Sequence, residues 1–135
     1  MDFSQIDYSR EAFCHLSHPV AGPLYEDGDK DKPVGIWTLS KDSKEYRTEV
    51  DRQWQANQGK KSKSAKALSD FEADNRELVA AVCTRADHCE LDGKPITSKE
   101  QFVELFSRES TRWIFEQVNA HLNDRAGFFS PSEKS

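Results

Sequence analysis

Pro33-Val34-Gly35-Ile36-Trp37-Thr38-Leu39-Ser40-Lys41-Asp42-Ser43-Lys44-Glu45-Tyr46 contains the change of period on which the fold turns. Its first half, 33–39, puts Val, Ile, Trp and Thr between breakers, which is strand chemistry. Its second half opens on Asp42-Ser43-Lys44-Glu45. That spacing fits a capping box, with Asp42 as N-cap and Glu45 reaching back. Tyr46, Val50 and Trp54 then recur at steps of four, one narrow stripe on a charged helix that should end near Gly59. A strand followed directly by such a helix predicts a mixed α+β chain, mainly α.

Outward from there, the N-terminal side is turn chemistry. His18-Pro19-Val20-Ala21-Gly22-Pro23 holds two prolines and a glycine in six residues. Leu16–Leu24 is expected to pair with 33–39 as a small hairpin, with Glu26–Lys32 as an exposed charged loop. Glu11–Leu16 is too short to assign. A lone hairpin is marginal in water, so helices must cover it.

On the C-terminal side, Gln58–Lys66 is a basic, Ser-containing linker or helix start. The next helix is expected over 65–86, because Leu68, Phe71, Leu78, Val79, Val82, Cys83 and Ala86 fall in one arc. Leu91-Asp92-Gly93-Lys94-Pro95-Ile96 is a turn. Ser98-Lys99-Glu100-Gln101 is a second capping box, ahead of Phe102, Leu105 and Phe106. Ser110 is the expected cap of a last helix over 111–124, with Ile114, Val118 and Leu122 as its stripe, Phe115 at the edge and Trp113 well off it. Gly127 breaks the pattern before Phe128 and Phe129. The expected architecture is one domain, 1–135: a small N-terminal β-hairpin (11–40) followed by about four helices (42–126). Residues 1–10 and 130–135 are its loosely held ends.

Composition narrows the class. The chain has 135 residues, a net charge of -5 and 36% hydrophobic residues. That is poor in core material against roughly 45–50% on a count that includes Gly. The 8 Phe, 3 Trp and 3 Tyr must therefore supply much of a small core. No apolar run is long enough for a membrane helix. The N-terminus lacks the basic-then-apolar pattern of a signal peptide. An acidic balance argues against nucleic acid as a partner. Three cysteines without an export signal point to free thiols in a reducing compartment. The composition reads as a soluble cytoplasmic protein.

No catalytic residue, cofactor site or metal site is assigned. Cys14, His15 and His18 form one metal-ligand group and Cys83, His88 and Cys89 another, but Cys83-x5-Cys89 is too wide for a structural zinc pair. Asp27, Asp29 and Asp31 begin like a calcium loop, yet Lys32 and Thr38 stand where it needs Gly and Glu. Cys89 beside His88 lacks a nucleophile turn. Lys60, Lys61, Lys63 and Lys66 read as a solvated linker. What remains is aromatics outside core patterns: Trp54, Trp113, Phe128 and Phe129. Tyr46, Val50 and Trp54 are taken as one partner-facing stripe, and Phe128 and Phe129 as a second anchor.

Taken in order, these pieces resemble the tail assembly chaperones of long-tailed bacteriophages and prophages. His18-Pro19-Val20-Ala21-Gly22-Pro23 looks like that family's HPxTG turn, with Ala21 in place of the usual Thr. Asp42-Ser43-Lys44-Glu45-Tyr46-Arg47 is similar to its DSxxYR helix start. Leu91-Asp92-Gly93-Lys94-Pro95-Ile96 resembles its DGK turn. Trp113-Ile114-Phe115-Glu116-Gln117-Val118 and Gly127-Phe128 resemble its closing helix and terminal aromatic. Ala86-Asp87-His88 departs from it, where the family often has a Trp.

The resemblance implies a non-catalytic role in the host cytoplasm. The partners would be the tape measure protein and, through it, the tail tube protein. An apolar stripe left over either stays exposed or pairs in a homo-oligomer. Two alternatives stand beside this reading. One is a structural phage tail or head–tail connector component. The other is a small zinc-containing adaptor built on Cys14, His15, Cys83 and Cys89.

Overall fold

A computed structural model describes residues 2–58 and 68–129. The four lysines at 60, 61, 63 and 66 and the tail 130–135 lie outside the described residues, as does the side chain of Leu68. In chain order the elements are β1 (Glu11–His15), β2 (Ser17–His18), β3 (Gly22–Pro23), β4 (Gly35–Leu39), α1 (Lys44–Gln58), α2 (Leu68–Val82), β5 (Cys83–Asp87), β6 (Glu90–Leu91), β7 (Lys94–Pro95), α3 (Lys99–Ser107) and α4 (Arg112–Asn123). The class is mixed α+β.

The main sheet has three antiparallel strands with β4 in the middle, between β1 and β5. This corrects the expected hairpin. The partner of β4 is β1, through Phe13 opposite Trp37 and Cys14 opposite Ile36. Leu16–Leu24 instead folds back on itself, and β2 pairs with β3. The cause is local. Pro19 and Pro23 donate no ladder hydrogen bond, Gly22 takes a φ of 80°, and the His18 Nδ1 accepts from the Val20 and Ala21 N–H groups at 3.1 and 3.2 Å. Only the ends of the segment reach the sheet, through Leu16 N–H to Val34 O and Val34 N–H to Leu24 O, each 3.0 Å.

A second correction concerns the helix expected over 65–86. It stops at Val82, and 83–87 crosses to become the third strand. Cys83 and Ala86 both pack against the core. Residues three apart face opposite sides of a regular strand, but the register shifts between Trp37 and Thr38, and this bulge lets both turn inward. Their spacing therefore imitates a helix stripe. The expected order, an N-terminal β part followed by four helices, holds roughly, with β5, β6 and β7 set between α2 and α3.

The core lies between the sheet and α2, α3 and α4. Ile36 of the sheet, Val79 and Val82 of α2, Phe102 and Phe106 of α3 and Val118 of α4 are fully enclosed. Each such side chain contributes about 1.5–3 kcal/mol on burial. The expected capping box starts α3: the Ser98 Oγ accepts from the Gln101 N–H at 3.2 Å, and the Gln101 Oε1 accepts from the Ser98 N–H at 3.0 Å. Asp92 and Gly93, at φ 55° and 78°, make the β6–β7 turn.

Two caps differ from expectation. Ser43, not Asp42, caps α1, its Oγ accepting from the Tyr46 N–H at 3.2 Å. Glu45 meets Arg10 at 2.6 Å instead of reaching back. A 3-10 turn at Glu109–Thr111 precedes α4, so Thr111, not Ser110, holds the cap position. Its hydroxyl donates to the Leu105 carbonyl at 2.5 Å.

Candidate partner-binding surface

The inward side of α1 is mixed, with a buried carboxylate at its centre. Glu49 is buried, and Tyr46, Val50 and Gln53 are half-buried beside it, so the inward positions run i, i+3, i+4, i+7. The Glu49 carboxylate accepts from Arg52 at 2.5 Å, Gln53 at 3.1 Å and Lys99 of α3 at 3.3 Å. Gln53 also donates to the Asp74 carbonyl of α2 at 2.7 Å. Lys99 and Arg52 both reach Glu77 as well, at 3.5 and 3.7 Å. Burial pushes the Glu49 carboxyl up, but the bonds from Arg52 and Gln53 and the Lys99 charge outweigh it and hold the group below its ordinary range.

This geometry divides the predicted stripe. Tyr46 packs against the core, with the Lys41 Nζ 5.7 Å from its ring centre. Val50 is half-buried. Trp54 comes one position after the inward-facing Gln53 and is 59% exposed. Sequence reading missed Glu49 and Gln53 because it follows apolar residues. Their own i,i+4 spacing was the available signal.

The second predicted anchor also divides. Phe128 is 1% exposed and belongs to the core, its ring 5.2 Å from that of His121. It is therefore not a surface anchor. A 3-10 turn at Arg125–Phe128 folds the chain back, and the Phe128 carbonyl accepts from the Ser9 N–H at 2.7 Å. Phe129 stays 38% exposed against Tyr8, ring centres 5.4 Å apart. Trp113 is half-buried, with its ring edge-on to His18 at 5.2 Å.

The thiols are poorly placed for nucleophilic work. Burial pushes Cys14 up to about 11 and Cys83 further still. Burial, followed by the negative charges of Asp87, Glu26 and Glu90, takes Cys89 to about 11. A thiol held in that range carries little thiolate at neutral pH. His88 faces Glu26 at 3.3 Å, and the His15 Nε2 bonds the Leu24 carbonyl at 2.8 Å. Among the described residues no three His, Cys, Asp or Glu side chains converge as a metal site, so Cys14, His15, Cys83 and Cys89 are not brought together as one.

Compared with protein families, with characterised proteins and with solved structures, the chain matches none of them. Among the described residues no helix is long and apolar enough to cross a membrane.

Proposed function

We propose that this chain is a non-catalytic chaperone of phage tail assembly, which binds the tape measure protein in the host cytoplasm and assists tail tube assembly. The observation that carries the reading is Trp54. It stands 59% exposed on a helix whose inward side is already filled by Tyr46, Glu49, Val50 and Gln53. An exposed indole on a charged helix is the kind of group that anchors protein interfaces. The resemblance of the His18–Pro23, Asp42–Arg47, Leu91–Ile96 and Trp113–Val118 stretches to tail assembly chaperones supplies the partner.

The test is co-expression with a tape measure protein, the long helical client that this reading predicts, followed by a pull-down. Capture of a client that is insoluble alone supports the reading. No capture, with the client soluble by itself, overturns it. Trp54→Ala should weaken capture by about 2 kcal/mol or more and leave helical circular dichroism intact. Loss of the fold in that variant would make Trp54 a structural residue instead.

A further inference from the structure

A second surface lies on the other side of α2. Glu72 and Arg76 on α2, and Arg112 and Glu116 on α4, flank a groove floored by Phe106 and Phe115. The two rings sit 5.5 Å apart. Phe106 is fully buried and Phe115 half-buried, so the floor is apolar and in part open. At about 140 Å³ the groove is small. Small-molecule sites run about 300–1,000 Å³, so it has room for a side chain or two and not for a metabolite.

The rim has a pattern. Each wall carries one acid and one base four residues apart, in opposite orders: Glu72 then Arg76, Arg112 then Glu116. Four residues is one helical turn. None of the four forms an ion pair with another described residue; Arg47 shares this, whereas Arg10, Arg52, Arg85 and Arg108 are paired. Arg76 is half-buried and has no carboxylate partner among the described residues. Two acids on the same rim disfavour a phosphate or any other simple anion. A partner that answers both signs on both sides must repeat its own charges at one-turn spacing about an apolar ridge. An amphipathic α-helix does this.

We infer that the α2–α4 groove docks an amphipathic helix of the client, with an apolar side chain on the half-buried Phe115, which Phe106 backs from the core, and flanking charges of both signs meeting Arg76, Arg112, Glu72 and Glu116. This rests on the chaperone reading above and adds a surface separate from Trp54.

The test uses the full chain in the same pull-down, with two charge reversals, Arg76→Glu/Arg112→Glu and Glu72→Lys/Glu116→Lys. Because these side chains have no ion-pair partner among the described residues, either reversal should leave the circular dichroism of the chain unchanged. Each is expected to lower client capture about tenfold, since like charges then face each other across the rim. Capture by wild type and equally by both variants overturns the groove and leaves the chaperone reading standing. No capture by wild type overturns both. Sedimentation of the chain alone supplies a third outcome: a wild-type dimer that either reversal makes monomeric assigns the groove to a second copy and overturns the client helix. If one reversal does not fold, the other decides.

Discussion

Gly35 sits in the central strand where there is no room for a side chain. A β-carbon there would land on the Cys14 carbonyl oxygen and on the Phe13 ring. Gly35→Ala should therefore cost about 1–3 kcal/mol through overpacking, seen as a lower urea midpoint; an unchanged midpoint would mean that the strands separate freely. From the sequence Gly35 reads only as one residue of a strand, because the ring that covers it comes from another strand. His121 is a second case. Its Nε2 lies 3.1 Å from the Thr38 Oγ1 and its ring packs on Phe128. Burial holds its pKa below the ordinary 6.5, with Asp124 opposing. The unfolded chain then binds the proton more readily than the folded one. The contribution of His121 to stability is complete above pH 6.5 and is lost as pH falls below it towards the lowered folded value. His121→Gln should flatten the stability curve below pH 6.5; an identical slope in wild type and variant would remove this role.

α1 is the helix least tied to the apolar core, since none of its residues is among the fully buried hydrophobic ones. Glu49 and Gln53 hold it to α2 and α3 instead. Glu49→Ala should cost about 1–2 kcal/mol. Hydrogen bonds to a charged group are worth roughly 1.5–3 kcal/mol, but Arg52 and Lys99 are 54% and 36% exposed and water replaces part of what they lose. The folded carboxyl lies below 4.5, so this contribution is present above pH 4.5 and disappears as pH falls through the lowered value. Faster amide exchange over 44–58 in the variant is the matching observation; unchanged exchange would show that Tyr46, Val50 and the Gln53–Asp74 bond hold α1 without Glu49. Legibility differed sharply between elements. The Ser98–Gln101 box and the Asp92-Gly93 turn are closed by bonds within a few residues, so their residues announce them. β5 is closed by β4, about fifty residues away, and its Cys83 and Ala86 carry a spacing that suits a helix equally well.

The two ends of the described chain meet. Tyr8 bridges Phe129, Ser9 donates to the Phe128 carbonyl, and the Tyr8 hydroxyl lies 2.5 Å from that of Ser40. Phe128 plugs the core at this junction. Phe128→Ala should cost about 3–5 kcal/mol, a large share of the roughly 5–15 kcal/mol available to a domain. Denaturant unfolding measures it, and a loss below about 1 kcal/mol would mean that the tail does not close the core. What could be read without coordinates was whatever depends on near neighbours: strand 35–39, the α3 box, the stripes of α3 and α4, the Asp-Gly turn, and the low apolar content that leaves so much charge outside. What needed the fold was whatever depends on distant ones. Trp54 and Phe128 are both aromatics at the margin of a pattern. Tertiary packing sends one to solvent and the other to the centre, because the surface a side chain loses to water is set by elements that lie far from it along the chain.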